Sequence, residues 1–176
     1  MSNQLVIAAL GQDRPGLVDK LSGWILDSGC NIADSRMMVL GGEFAVLLLV
    51  NGNWNSLAKL ESQLGQTEKQ LGMSISVKRT SKREQRGNLL PYAVDVVALD
   101  HPGIVHNLAG FFSRRSINIQ DLSTATYAAA HTGTMMFSVH MILDVPADTH
   151  IATLREEFLE FCDRLNLDAV IEPIKG

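Results

Sequence analysis

Residues 13–36 read DRPGLVDKLSGWILDSGCNIADSR, and residues 100–123 read DHPGIVHNLAGFFSRRSINIQDLS. They align without a gap at an offset of 87. Nine of the 24 positions are identical: Asp13/Asp100, Pro15/Pro102, Gly16/Gly103, Val18/Val105, Leu21/Leu108, Gly23/Gly110, Asn31/Asn118, Ile32/Ile119 and Asp34/Asp121. Several mismatches keep their character, as in Leu17/Ile104, Trp24/Phe111 and Ile25/Phe112. Pro, Gly, Asn and the apolar positions recurring together mark two copies of one unit of roughly 80–90 residues within a 176-residue chain.

Each copy carries the same succession of patterns. Leu5 to Leu10 and Tyr92 to Leu99 are apolar runs of strand length. Asp-x-Pro-Gly follows, and Pro15 and Pro102 suit the first turn of a helix, where a missing N–H leaves no bond unmade. Apolar residues then recur at helical spacing, at Leu17, Val18, Leu21, Trp24 and Ile25, and at Ile104, Val105, Leu108, Phe111 and Phe112. Ser28-Gly29 predicts the end of the first of these helices, and Arg114-Arg115 suits the end of the second, where the helix dipole favours cations. Next come two strands joined by a turn, about 32–40 and 43–50 around Gly41-Gly42, and about 119–128 and 134–143 around His131 to Gly133. Leu57, Leu60, Leu64 and Leu71 mark a second helix in the first copy; Ile151, Leu154, Phe158, Phe161 and Leu165 mark its counterpart. Final strands are expected over 74–79 and 168–174.

The order βαββαβ, twice, predicts an α+β fold of two ferredoxin-like units, each an antiparallel four-stranded sheet with two helices on one face. The expected boundaries are 1–80 and 91–176, with 81–90 as a basic linker. Units this small bury little surface alone, which favours pairing between copies or between chains.

Composition narrows the function. Hydrophobic residues make up 46% and charged residues 19%, enough apolar surface to order a globular chain. Mean hydropathy is +0.10, yet no apolar run approaches the ~20 residues of a membrane span, and the start Met1-Ser-Asn-Gln does not read as a signal peptide. Two cysteines, Cys30 and Cys162, make neither a disulfide scaffold nor a metal pair, so a reducing cytoplasm is expected. Net charge is −4, against a chain built to grip nucleic acid. The charge is uneven: −2 over residues 1–77, +4 over Lys78 to Arg86, and −6 over 91–176. The basic run KRTSKREQR reads first as a solvated linker, second as a docking strip for an acidic partner, and third as a phosphate contact; no helix-turn-helix pattern accompanies it.

The repeated signature has its own chemistry. Gly16 and Gly103 let a ligand approach the backbone, and the unpaired N–H groups of a helix start favour an anion such as a carboxylate. Asp13 and Asp100 either cap the helix or accept from an ammonium group, and Asn31 and Asn118 offer both donor and acceptor atoms or simply turn the chain. The five histidines form no H-E-x-x-H pattern, and neither a phosphate-binding G-x-x-x-x-G-K-[ST] loop nor a G-x-S-x-G elbow occurs. Neither a catalytic constellation nor a metal or cofactor site is expected. Cys30 reads as a buried apolar residue, Trp54 as a local packing anchor, and the strand methionines as core or adaptable surface.

Asp13-Arg-Pro-Gly16 with Asn31-Ile32, and Asp100-His-Pro-Gly103 with Asn118-Ile119, each inside βαββαβ, resemble the ACT domain family. The resemblance covers nearly the whole chain outside the linker. It implies ligand-sensing modules, often for amino acids, that pair sheet edge to sheet edge. In that family the loop after the first strand and the Asn before the second strand hold the ligand at a paired-domain interface. Carried onto this sequence, the implied contacts are Asp13, Gly16, Leu17, Asn31 and Ile32, and Asp100, Gly103, Ile104, Asn118 and Ile119. His101 stands where the first copy has Arg14, which implies divergence of one copy. Two such units with no enzyme attached imply a non-enzymatic, repressor-type regulator. It would sense an amino acid such as glycine, act on a partner transcription factor by contact, and self-associate as a homodimer or larger assembly. The alternative is a sensing subunit that docks on a metabolic enzyme.

Overall fold

A computed structural model describes residues 3–84 and 87–175. Gln85 and Arg86, the end of the basic run, lie outside the described residues. The chain divides into two compact units, Met1–Glu84 and Gln85–Gly176. Each is an α+β βαββαβ unit.

The first unit comprises β1 (Asn3–Gln12), α1 (Leu17–Asp27), β2 (Asn31–Leu40), β3 (Glu43–Gly52), α2 (Trp54–Ser62), α3 (Leu64–Leu71) and β4 (Met73–Thr80). Its sheet runs β2-β3-β1-β4, antiparallel throughout. The strands alternate, with Leu5, Ile7, Ala9, Val46, Leu48, Val50, Met73 and Ile75 on the buried face. The helices meet that face through Leu17, Leu21, Trp24, Ile25, Leu57, Leu60 and Leu71.

The second unit comprises β5 (Leu89–Leu99), α4 (Ile104–Ser113), β6 (Asn118–Ala128), β7 (Met135–Pro146), α5 (Ile151–Arg164) and β8 (Asp168–Pro173), with sheet order β6-β7-β5-β8. Its core is more aromatic: Phe111, Phe112 and Phe158 are fully enclosed, with ring centroids 5.0–5.3 Å apart.

Two local expectations change. Pro15 and Pro102 do not open the helices. Gly16 and Gly103 occupy the cap position with left-handed backbones, φ 89° and 93°, so helix begins at Leu17 and Ile104, two residues later than the prolines would start it. The second helix of the first unit is also broken. The Gln63 N–H is shared between the carbonyls of Lys59 and Leu60 (3.2 and 3.3 Å), which tightens the turn and divides α2 from α3. Gly65, a weak helix former, follows two residues later. In the second unit the same segment is the unbroken 14-residue α5.

The helices still correspond. Leu57/Ile151, Leu60/Leu154, Leu64/Phe158 and Leu71/Leu165 are each 94 residues apart. The β6–β7 connection is longer than the Gly41-Gly42 turn and moves the offset from 87 to 93, as in Leu47/His140; one further residue between β7 and α5 brings it to 94.

Candidate functional site

The two signature loops are built alike. The Asp13 N–H donates to Gly42 O (3.1 Å) at the tip of the β2–β3 hairpin, and the Asp100 N–H to Met135 O (3.0 Å) at the start of β7. Each loop is thereby fixed against the hairpin end of its sheet. Positive φ at Gly16 and Gly103 admits almost any residue only with strain. The space over Gly16 is open, and over Gly103 the nearest atom is Asn107 Nδ2, 3.8 Å from where a Cβ would sit.

Neither α1 nor α4 has a side-chain cap, whereas α2 is capped by Asn53 (2.8 Å to the Ser56 N–H) and α5 by His150. Asp13 and Asp100 are exposed and do not cap these helices, so the capping reading of these residues falls away. The first turns of α1 and α4 thus keep donors and positive dipole ends that no side chain satisfies.

Leu17 (3% exposed) and Ile104 (2%) send their side chains into the core, so those side chains are not open to a ligand. Ile32 and Ile119 are half-buried against the two cores. Asn31 and Asn118 are exposed at the first positions of β2 and β6. Asn118 Nδ2 donates to Asp144 Oδ2 at 3.2 Å. Both strands carry the same β-bulge immediately afterwards, between Ile32 and Asp34 and between Ile119 and Asp121. A bulge re-aims side chains on an edge strand and recurs beside binding sites.

The structure does not bring the two halves of a signature together within one unit. Asn31 pairs with Asn51, whose Oδ1 accepts from Gln4 Nε2 at 2.9 Å, at the start of β1. The Asp13–Gly16 loop follows the other end of β1, eight residues away, or about 26 Å at the usual strand rise. The same separation holds for Asn118 and Asp100. β2 and β6 lie at sheet edges and are almost wholly exposed along their length.

Several features escaped sequence reasoning. Arg14 Nη2 donates to Leu71 O at 2.5 Å and ties its loop to the end of α3; His101, its counterpart, contacts only the adjacent Pro102 carbonyl (3.1 Å). The Arg14/His101 mismatch was the visible signal. Arg79, within the basic run, belongs to β4 and forms a two-bond pair with Glu61 (2.8 and 3.0 Å) while lying over the Trp54 ring. Both thiols are buried; burial, with a smaller contribution from Asp163, pushes Cys162 up to about 12, and burial raises Cys30. Neither suits a nucleophile. Among the described residues no three His, Cys, Asp or Glu side chains cluster to hold a metal, and no helix is long and apolar enough to cross a membrane.

Comparison with known proteins places these features. Residues 3–78 match the family described as ACT domain, and residues 94–157 the family described as AHAS small subunit-like ACT domain. The glycine cleavage system transcriptional repressors of Escherichia coli (strain K12) and Shigella flexneri are each 31% identical over 170 residues, covering 97% of this chain and 90% of theirs. A solved structure described as a candidate glycine cleavage system transcriptional repressor superposes with a TM-score of 0.74 at 28% identity, covering 100% of this chain and 99% of that one. An unknown protein from Galdieria sulphuraria gives 0.79 at 25%, covering 99% and 100%. With two ACT units and 31% identity over 97% of its length, this protein belongs to the ACT-domain family of the glycine cleavage system transcriptional repressor.

Proposed function

We propose that the protein is a non-enzymatic regulator that binds a small amino acid such as glycine and passes that state by contact to a partner transcription factor. Residues 1–80 and 91–176 act as its sensing units and residues 81–90 as the tether. The observation that carries the reading is the placement of each signature at opposite ends of an exposed edge strand. Antiparallel pairing of two such edges sets the start of one strand beside the end of the other. An Asn31 or Asn118 of one unit then faces an Asp-x-Pro-Gly loop of its mate. The uncapped helix starts take the ligand carboxylate, the exposed Asp13 or Asp100 its ammonium group, and the asparagine closes the site. Ligand shifts assembly only through differential affinity for the paired state.

Calorimetric titration of the full chain with glycine and the other common amino acids tests this. Saturable binding is expected, and it should be lost in Asn31→Ala or Asn118→Ala. Unchanged affinity in both variants removes the site. The purified chain alone is expected to give no sequence-specific complex in a DNA-shift assay.

The match of the second unit to an AHAS small subunit-like ACT domain favours one alternative, a sensing subunit that docks on a metabolic enzyme. Affinity capture from the native cell separates the two: recovery of an enzyme instead of a transcription factor selects the alternative.

A further inference from the structure

The outer surface of the first unit holds a polar groove of about 600 Å³ between α1 and α3; it reaches Leu71, whose carbonyl Arg14 of the signature loop bonds. Two adjacent rows of α1 form one wall. Asp19, Gly23 and Asp27 follow each other at i, i+4 and i+8, and Lys20 and Trp24 lie beside them at i and i+4. Gln66, Thr67 and Gln70 form the other wall. Trp24 is 8% exposed, and among the described residues its Nε1 is the one buried side-chain donor with no acceptor.

The second unit fills the same place from its own sequence. Phe161 stands for Thr67 and stacks on Phe111, the counterpart of Trp24, at 5.0 Å. Arg114 stands for Asp27, and its Nη1 lies 3.1 Å from where a Cβ on Gly110 would sit. Arg115 stands for Ser28; its guanidinium covers Phe111 at 3.7 Å and pairs with Glu157 at 2.8 Å. Two cations therefore occupy the surface over Gly110 and Phe111. Over Gly23 there is open space, flanked by Asp19 and Asp27, whose carboxylates have no ion-pair partner among the described residues. Lys59 is already committed to the Asp27 backbone carbonyl.

We propose that this groove binds a free small molecule carrying a guanidinium or primary ammonium group together with a carboxylate. The cation sits over Gly23 between Asp19 and Asp27, as Arg114 sits over Gly110. The carboxylate accepts from Trp24 Nε1, and Lys20 neutralises it. A molecule with both charges some distance apart, as in a basic amino acid, satisfies both rows of α1. The site is independent of the paired-edge site proposed above.

The test uses the full chain with Trp54→Phe, which leaves Trp24 as the sole indole. L-Arginine is the probe, and L-citrulline, of like shape with a neutral side-chain end in place of the guanidinium, is the control. A saturable change in Trp24 emission with L-arginine is expected, weaker by about tenfold or more with L-citrulline and in Asp27→Asn, the loss of one charge-assisted bond. Thr67→Phe, which copies the second unit, is expected to abolish the response with the circular dichroism spectrum retained. The proposal is overturned by any of these: no saturable response, an equal response to L-citrulline, or full responses in both Asp27→Asn and Thr67→Phe. An equal response to N-acetyl-L-arginine amide overturns it in favour of a side chain from a partner protein. Asn31→Ala is expected to leave the response intact; its loss there moves L-arginine to the paired-edge site and overturns the groove.

Discussion

The two units share a fold and differ in what they do with equivalent space. On the open sheet face of the first, Ala8 lies opposite Leu47, with exposed Val6, Leu10, Met38 and Leu40 around them. The counterparts of Ala8 and Leu47 are Asp95 and His140, which pair at 2.7 Å. On the helical face the order reverses: the second unit closes its interhelical groove with Phe161 and the Arg115–Glu157 pair, and the first leaves its groove polar and open. The backbone pattern thus tolerates opposite surfaces. Surface chemistry depends on a few positions that the shared core does not constrain.

Spectroscopy can separate the units, because Trp24 and Trp54 lie in the first and Tyr92 and Tyr127 in the second. The largest effect is expected from emptying an aromatic core. Phe158→Ala should destabilise the second unit by about 3–5 kcal/mol, and Leu60→Ala the first by about 2–5 kcal/mol. In urea titrations the former should move the tyrosine-reported transition and the latter the tryptophan-reported one. If both probes move together in both variants, the units unfold as one body and the comparison breaks.

A smaller asymmetry lies at Gly11 and its counterpart Ala98. A Cβ on Gly11 would meet Met73 Cγ at 2.7 Å and the Gly72 carbonyl at 2.9 Å, so Gly11→Ala should cost about 1–3 kcal/mol by overpacking. Ala98→Gly removes only a methyl and loosens the strand, about 1 kcal/mol. The order of the two midpoint shifts is the measurement; equal shifts would mean that the close approach of β1 to the α3–β4 turn relaxes freely. At Gly16 and Gly103 the units should agree instead. Alanine at either left-handed cap should cost about 1–2 kcal/mol, and unequal losses would show that the Arg14 clamp stiffens one loop.

The fold was legible because its signals were redundant. The 87-residue repeat, the helical spacing of Leu17 to Ile25 and of Ile104 to Phe112, and the hairpin glycines all point to one topology. What was not legible depended on geometry across the chain. Within Leu57 to Leu71 only Gly65 hints at the break at Gln63, and the leucine spacing runs through it. Pro15 read as a helix start because sequence cannot show that Gly16 takes the left-handed cap. The site residues were legible as types but not as a place. Asp13 and Asn31 are neighbours in a motif and stand at opposite ends of a sheet. The groove over Gly23 was invisible, because it appears only when Thr67 and Phe161 are matched at an offset of 94.

The smallest expected effect is confined to the first unit and depends on pH. The Arg79 guanidinium, hydrogen-bonded to both Glu61 oxygens, holds that carboxyl below its ordinary value of 4.5. Folding therefore favours the ionised form. The contribution is fully present above about pH 4.5, the value the unfolded chain keeps, and is lost as pH falls through the lower folded value. Both partners are about a third exposed, so solvent screens the pair and the effect falls below those above. Glu61→Gln should lower the tryptophan-reported midpoint at neutral pH, and the gap to the parent should close under acid. The counterparts of Arg79 and Glu61 are Pro173 and Arg155, which cannot form such a pair. The tyrosine-reported midpoint should thus be the same in parent and variant at every pH. A gap in the tryptophan midpoint that persists at low pH would mean that Glu61 acts through packing against Arg79 and Trp54, with the charge incidental.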